Sequence, residues 1–197
     1  MEARLRARPL QVTGSAPVGL QPLMLGAARD RYLYVPTTYR ADPPVPLVLL
    51  LRGAGGHARQ GLDLLRSLAD AAMIDPALEQ TFSRYAIDPV RLAIGGFSDG
   101  ASYALSLGIT NGDLFTHVLA FSPGLMAPGG RTGSPRIFVS HGVRDGVLPI
   151  DRCSHRIVPE LERGGYDVLY REFDGEHSIS LEIALEAIGW FTREKFP

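Results

Sequence analysis

A chain of 197 residues with 45% hydrophobic content can bury one sizeable core, and its formal net charge of −1 offers no basic field for nucleic acid or an acidic membrane surface. No run approaches the roughly 18 to 20 apolar residues of a membrane span, and "MEARLRARPLQVTG" has arginines but no apolar block of the roughly 7 to 15 residues typical of a signal peptide. The lone Cys153 excludes internal disulfides and a cysteine-rich metal site, so the expectation is a cytoplasmic protein with a small-molecule partner, no nucleic acid and no membrane.

Residues 1–15 read as a loosely packed lead-in to a single domain spanning 1–197. "GLQPLML" and "DRYLYVP" follow as a pair of strands, expected to form an antiparallel edge. "VPLVLLL" (Val45 to Leu51) is a continuous apolar run, as a strand covered by helices on both faces requires. A helix is expected over "LDLLRSLADAAM", with Leu62, Leu65, Ala69 and Ala72 on one face. Strands then recur at "VRLAIGG" (Val90 to Gly96), "HVLAFS" (His117 to Ser122), "RIFVSHG" (Arg136 to Gly142) and, with half-alternating character, "DVLYREF" (Asp167 to Phe173). "ASYALSLGI" and "SLEIALEAIGWF" are helical, the latter with Leu181, Leu185, Ile188 and Phe191 on one face. Strands alternating with helices imply right-handed crossovers and a mainly parallel sheet.

The run "LAIGGFSDGASYAL" breaks at Gly96-Phe97-Ser98-Asp99-Gly100, a G-x-S-x-G pentapeptide between an apolar strand and a helix. In a chain with 22 glycines the pentapeptide alone is weak, but at a strand-to-helix turn it reads as a nucleophile elbow. Small flanking residues are needed there because strand and helix backbones converge. A serine hydroxyl needs a base, and the base a carboxylate to hold its tautomer. Catalytic groups of a parallel sheet collect at the carboxyl ends of strands, and His177 in "DGEHS" follows the last strand. Asp145 in "SHGVRDGVLP" follows "RIFVSHG", with Asp174, Glu176 and Asp151 as competing carboxylates. Ser98, Asp145 and His177 stand in the order nucleophile, acid, histidine. For the oxyanion, the backbone N–H of Asp99 at the helix start is one donor, and the loop "RGAGG" supplies the other from Ala54, with Gly55 second. Of the remaining histidines, His141 packs beneath the acid loop, His155 sits on a helix, His117 opens a strand, and His57 follows the glycine loop. Cys153 reads as a small buried side chain near a helix start. No spacing supports a metal site, and the chemistry requires no cofactor.

With these residues in place, "LLLRGAGG", "GGFSDGAS", "FSPG", "SHGVRDGVLPI" and "FDGEH" resemble the α/β-hydrolase superfamily, in its compact carboxylesterase and phospholipase-like branch with dienelactone-hydrolase-type enzymes, over about Gly19 to Phe191. The resemblance implies an α/β three-layer sandwich, Ser98 as nucleophile, Asp145 as orienting acid, His177 as base, and Ala54 with Asp99 as oxyanion donors. It implies hydrolysis of small carboxylic esters through an acyl-serine intermediate. A thioesterase or acyltransferase using the same triad, or a degenerate fold serving as a binding module, stands as the alternative. Two features depart from the family: Arg52-Gly53 replaces its usual His-Gly, and one core strand is missing between residues 57 and 89. To fill that place either "DRYLYVP" pairs directly with "PLVLLL", which the short connection "TTYRADPPV" favours, or a second chain lends a segment, making the protein a monomer or a homodimer respectively. The loss is expected to leave Ser98 in a shallow, open cleft.

Overall fold

The structure, a computed structural model, describes residues 4–13, 16–23, 32–51 and 67–193, with side chains from residue 74 onward in its first helix. In chain order the elements are β1 (Gly19–Pro22), β2 (Tyr32–Val35), β3 (Val45–Leu51), α1 (Ser67–Phe82), β4 (Ile87–Phe97), α2 (Asp99–Thr110), β5 (His117–Phe121), β6 (Arg136–Gly142), a 3₁₀ turn (Ile150–Arg152), α3 (Ser154–Arg163), β7 (Val168–Phe173) and α4 (Leu181–Thr192). The five strands β3 to β7 form one parallel sheet in which each lies beside the next in sequence. The register sets Leu51 beside Gly96, Phe97 beside Phe121, Phe121 beside Ser140 and Gly142 beside Phe173, so the carboxyl ends of β4 to β7 share one rim.

Alternation along the strands builds two cores. Leu92 and Ile94, Val118 and Ala120, Ile137 and Val139 face α1, α2 and α3, whereas Ala93, Leu119, Phe121 and Phe138 face α4. Apolar side chains on both faces require helices on both, which is why these strands read as continuous apolar runs. The α/β-hydrolase arrangement expected from sequence is the one observed.

Four expectations need correction. The lead-in strands pair antiparallel with each other, Gly19 opposite Val35, but as a separate two-stranded sheet; β2 makes no ladder with β3. The reason lies in the side chains. Leu33, Val35, Val45 and Leu47 all join the larger apolar cluster, so side chains rather than a backbone ladder hold the hairpin to the sheet. Tyr39 and Tyr85 are set edge-to-face at 5.4 Å, the Tyr39 hydroxyl accepting from the Ala86 N–H and the Tyr85 hydroxyl donating to the Pro17 carbonyl. The cleft left between hairpin and sheet, about 50 Å³, holds a few waters at most. Among the described residues no strand lies between 67 and 86, because "MIDPALEQTF" continues α1 through Pro76; residues 57–66 fall outside the described part.

Second, the first helix extends to Phe82, with Ile74, Leu78 and Phe82 buried; Leu62 and Leu65 are outside the described residues. Third, α4 buries Ile183, Ala187 and Phe191, leaving Leu181, Leu185 and Ile188 exposed. Apolar residues surround this helix enough for two stripes to satisfy the helical period, and the contact of Trp190 with Phe138 selects the second. Fourth, residues 4–8 of the lead-in are anchored rather than loose. Leu5 and Ala7 are buried, the Leu5 N–H donates to Asn111 Oδ1, and the N–H groups of Arg6 and Ala7 donate to Asp75. Arg4 and Arg8 both pair with Asp113, at 2.9 and 2.6 Å.

One further device holds a loop near the rim. Ser102, Ser106 and Thr110, four residues apart on α2, each bond back to the carbonyl four residues earlier. Their oxygens accept from Gly124 and Leu125, from Ala127, and from Gly129 respectively. The helix rises about 6 Å in four residues and an extended chain about 6.6 Å in two, so the rungs stay in step.

Candidate active site

A single residue, Ser98, separates β4 from α2, and its backbone lies at φ 60 and ψ −124, a conformation unfavourable for any residue with a Cβ. The geometry persists because its surroundings fix it. The Ser98 N–H donates to the Phe121 carbonyl at 2.9 Å, and the Ser98 carbonyl accepts from the N–H groups of Ala101 and Ser102. A Cβ on Gly96 would sit closer than 3.0 Å to the Gly100 backbone and the Leu51 carbonyl, so the first glycine of the motif is a requirement of close approach. Asp99 opens α2, where a helix leaves backbone N–H groups without intrahelical partners.

Asp145 hangs from the loop after β6. Its Oδ1 accepts from the N–H groups of Val147 and Leu148, at 2.9 and 2.8 Å, and its Oδ2 accepts from His177 Nδ1 at 2.6 Å. Burial alone would raise the carboxyl pKa, but the donors on Leu148, His177 and Val147 outweigh it and hold the group below its ordinary value. Asp145 is therefore ionised at neutral pH. His177, in the loop after β7, places Nε2 3.0 Å from Ser98 Oγ. With Nδ1–H committed to the carboxylate, neutral Nε2 is the acceptor for the serine hydroxyl. The structure thus joins Ser98, His177 and Asp145 in one hydrogen-bonded chain.

Three supports of this chain were not apparent from sequence. Phe97, the unspecified second position of the pentapeptide, lays its ring against His177 with centroids 4.6 Å apart and planes at 35°. Arg144 clasps the acid loop to the base loop: it forms an ion pair with Asp174, and its N–H donates to the Gly175 carbonyl at 2.9 Å. Ser102, through its Oγ, bridges the Ser98 carbonyl to the Gly124 and Leu125 amides. An aromatic beside a candidate serine and a cation beside an acid are signals too common to single out without coordinates.

The other candidates fall elsewhere. Asp174 is committed to Arg144, and Asp151 pairs with His155, which also meets Glu172 at 2.8 Å. Hydrogen bonds that the His155 ring donates to Glu172 and Asp151, the first dominant, raise its pKa. His117 packs edge-on against Trp190 and Phe191, and burial pushes its pKa down to about 4. His141 is fully buried beneath the acid loop, and Cys153 is buried at the start of α3, where burial raises its thiol pKa. Arg52, Ala54, Gly55 and His57 lie outside the described residues. Among the described residues no group of three or more His, Cys, Asp or Glu is placed to hold a metal ion, and no helix is long and apolar enough to cross a membrane.

The parallel sheet, the serine elbow after β4 and the acid and histidine after β6 and β7 define a protein with the α/β-hydrolase fold. Solved structures agree: esterase PE8 superposes with a TM-score of 0.55 at 20% identity, covering 91% of this chain and 98% of its own, and a CE1 ferulic acid esterase from Anaeromyces mucronatus with 0.60 at 17%, covering 94% and 92%. The Bacillus cereus carboxylesterase gives 0.56 at 17% identity over 75% and 87%. In sequence the chain is 26% identical over 121 residues to acyl-protein thioesterase 1 of Gibberella zeae, spanning 56% of this chain and about half, 51%, of that relative. No protein-family model matches the chain.

Proposed function

We propose that the protein is a serine hydrolase that cleaves small carboxylic esters. The observation that carries this reading is the continuous chain from Asp145 Oδ2 through His177 to Ser98 Oγ, at 2.6 and 3.0 Å, with the serine on a strained turn. Core packing alone has no need of these three residues at three strand ends. Ser98 Oγ attacks the ester carbonyl carbon while its proton passes to His177 Nε2. The oxyanion that forms is held by the N–H of Asp99 and, in this proposal, by that of Ala54. The C–O bond to the alcohol then breaks, and the alcohol leaves with the proton from His177. Water, deprotonated by His177, attacks the acyl-serine and releases the acid. Asp145, ionised and acceptor-only, keeps the proton of neutral His177 on Nδ1 and stabilises the imidazolium of each step.

Release of nitrophenol from its acetate and butyrate esters tests the reading. Ser98→Ala and His177→Ala are each expected to lower kcat by about 10⁴-fold or more with the fold intact, and a variant retaining a tenth of wild-type activity would overturn the assignment. kcat/KM should rise with pH as His177 loses its proton, and a flat profile would count against a histidine base. A second reading, thioester cleavage by the same residues, is favoured by the acyl-protein thioesterase relative. Matched oxygen esters and thioesters of one acyl group separate the two by their kcat/KM ratio. A catalytically silent binding module is disfavoured by the aligned serine and histidine, and any turnover that Ser98→Ala abolishes eliminates it. A cytoplasmic setting and a monomer or homodimer complete the proposal.

A further inference from the structure

His141 is 0% exposed, yet both of its ring nitrogens are engaged. Nε2 lies 2.8 Å from the Leu148 carbonyl and 3.2 Å from Asp145 Oδ2, and Nδ1 lies 2.7 Å from Ser154 Oγ, itself fully buried. Burial lowers the His141 pKa, so the ring is neutral at neutral pH. The tautomer then follows. A carbonyl and a carboxylate only accept, so Nε2 carries the proton, and Nδ1 accepts from the Ser154 hydroxyl. Asp145 Oδ2 therefore lies within reach of a second imidazole N–H besides that of His177, while Oδ1 takes two backbone N–H groups. Leu148 is gripped at both ends, its N–H by Asp145 and its carbonyl by His141.

We propose that His141 is a positioning residue for the Asp145 carboxylate: its Nε2–H, with the ring braced through Nδ1 by Ser154, fixes the orientation from which Oδ2 holds His177. This rests on the triad reading above. Packing alone does not explain a histidine here, since an apolar side chain would avoid burying two polar nitrogens. Without the donor the carboxylate is freer to turn and carries more unshared charge towards His177, so the imidazolium is favoured and the ring is less well aimed at Ser98. The other titratable groups bearing on Asp145 and His141 are each other, His177, and Cys153 at the start of α3, on which Arg152 and Arg156 act in turn; the Tyr170 hydroxyl on β7 is buried with its pKa raised by burial. Asp145 stays ionised, His141 neutral and Cys153 a thiol across neutral pH.

Two polar variants in the full chain separate positioning from bulk packing. His141→Gln carries an amide N–H to about the place of Nε2, whereas His141→Asn reaches only to that of Nδ1. With a nitrophenyl ester as substrate, His141→Asn is expected to lose about tenfold in kcat with KM little changed and to move the acid limb upward by about half a pH unit; His141→Gln restores most of both. Ser154→Ala, which removes the hydrogen bond at Nδ1 and leaves the ring less firmly held, should fall between them. The inference is overturned if the Gln and Asn variants behave alike, or if His141→Asn keeps the wild-type kcat and limb while Ser98→Ala is inactive. Activity surviving in Ser98→Ala would instead sink the triad reading itself.

Discussion

Gly142, at the end of β6, lies against the backbone of the base loop. A Cβ there would sit closer than 3.0 Å to the carbonyls of Gly175 and Glu176, and neither backbone can yield without carrying His177 with it. Gly142→Ala is therefore expected to lower kcat on nitrophenyl acetate by about 10²-fold while the melting temperature changes by only a few degrees, since a small displacement of a base is enough to lose its alignment. An unchanged kcat would mean that the loop accommodates the methyl group without moving His177. At this scale Ser98, Asp145 and His177 could be read from sequence because each follows an apolar run and parallel sheets gather such positions at one rim. Phe97 and Arg144 meet partners remote in sequence, His177 and Asp174, which no periodicity encodes.

Helix α2 has two tasks: its first turn presents Ser98, and its hydroxyl ladder fastens the segment 124–129 beside it. Ser106 is the middle rung, away from the site, so Ser106→Ala leaves the Ala127 N–H unpaired and is expected to cost about 1 kcal/mol in urea denaturation, with kcat within about twofold of wild type. A neutral effect on stability would mean that the loop finds water in place of the rung. Strand β3 was legible to the residue because a seven-residue apolar run admits few other readings. The face of α4 was not, because two stripes satisfy one helical period and only the aromatic contacts below decide between them. The pairing of the lead-in hairpin was also illegible: alternation in "YLYV" is the same whether the strand extends the large sheet or pairs only within its hairpin.

For the molecule as a whole, His117 links folding to pH at the end of the sheet opposite the site. Its folded pKa of about 4 lies below the ordinary 6.5, so between those values the unfolded chain takes up a proton that the native state refuses. Stability is thus full above 6.5 and declines as pH falls towards 4, by up to about 3 kcal/mol. Replacing the ring in His117→Phe should narrow the gap in melting temperature between pH 7 and pH 5, and an unchanged gap would exclude His117 as the source. The strand order has a different consequence, one of timing. From β4 onward each strand of the large sheet pairs with the described strand before it, so pairing can proceed in the direction of synthesis. The serine turn is laid down first, the acid loop next, and the histidine, 79 residues after the serine, last. Until that final loop docks and α4 covers the second core, a nascent chain carries Ser98 without His177 beside it, and under the proposed mechanism the half-made protein is chemically silent.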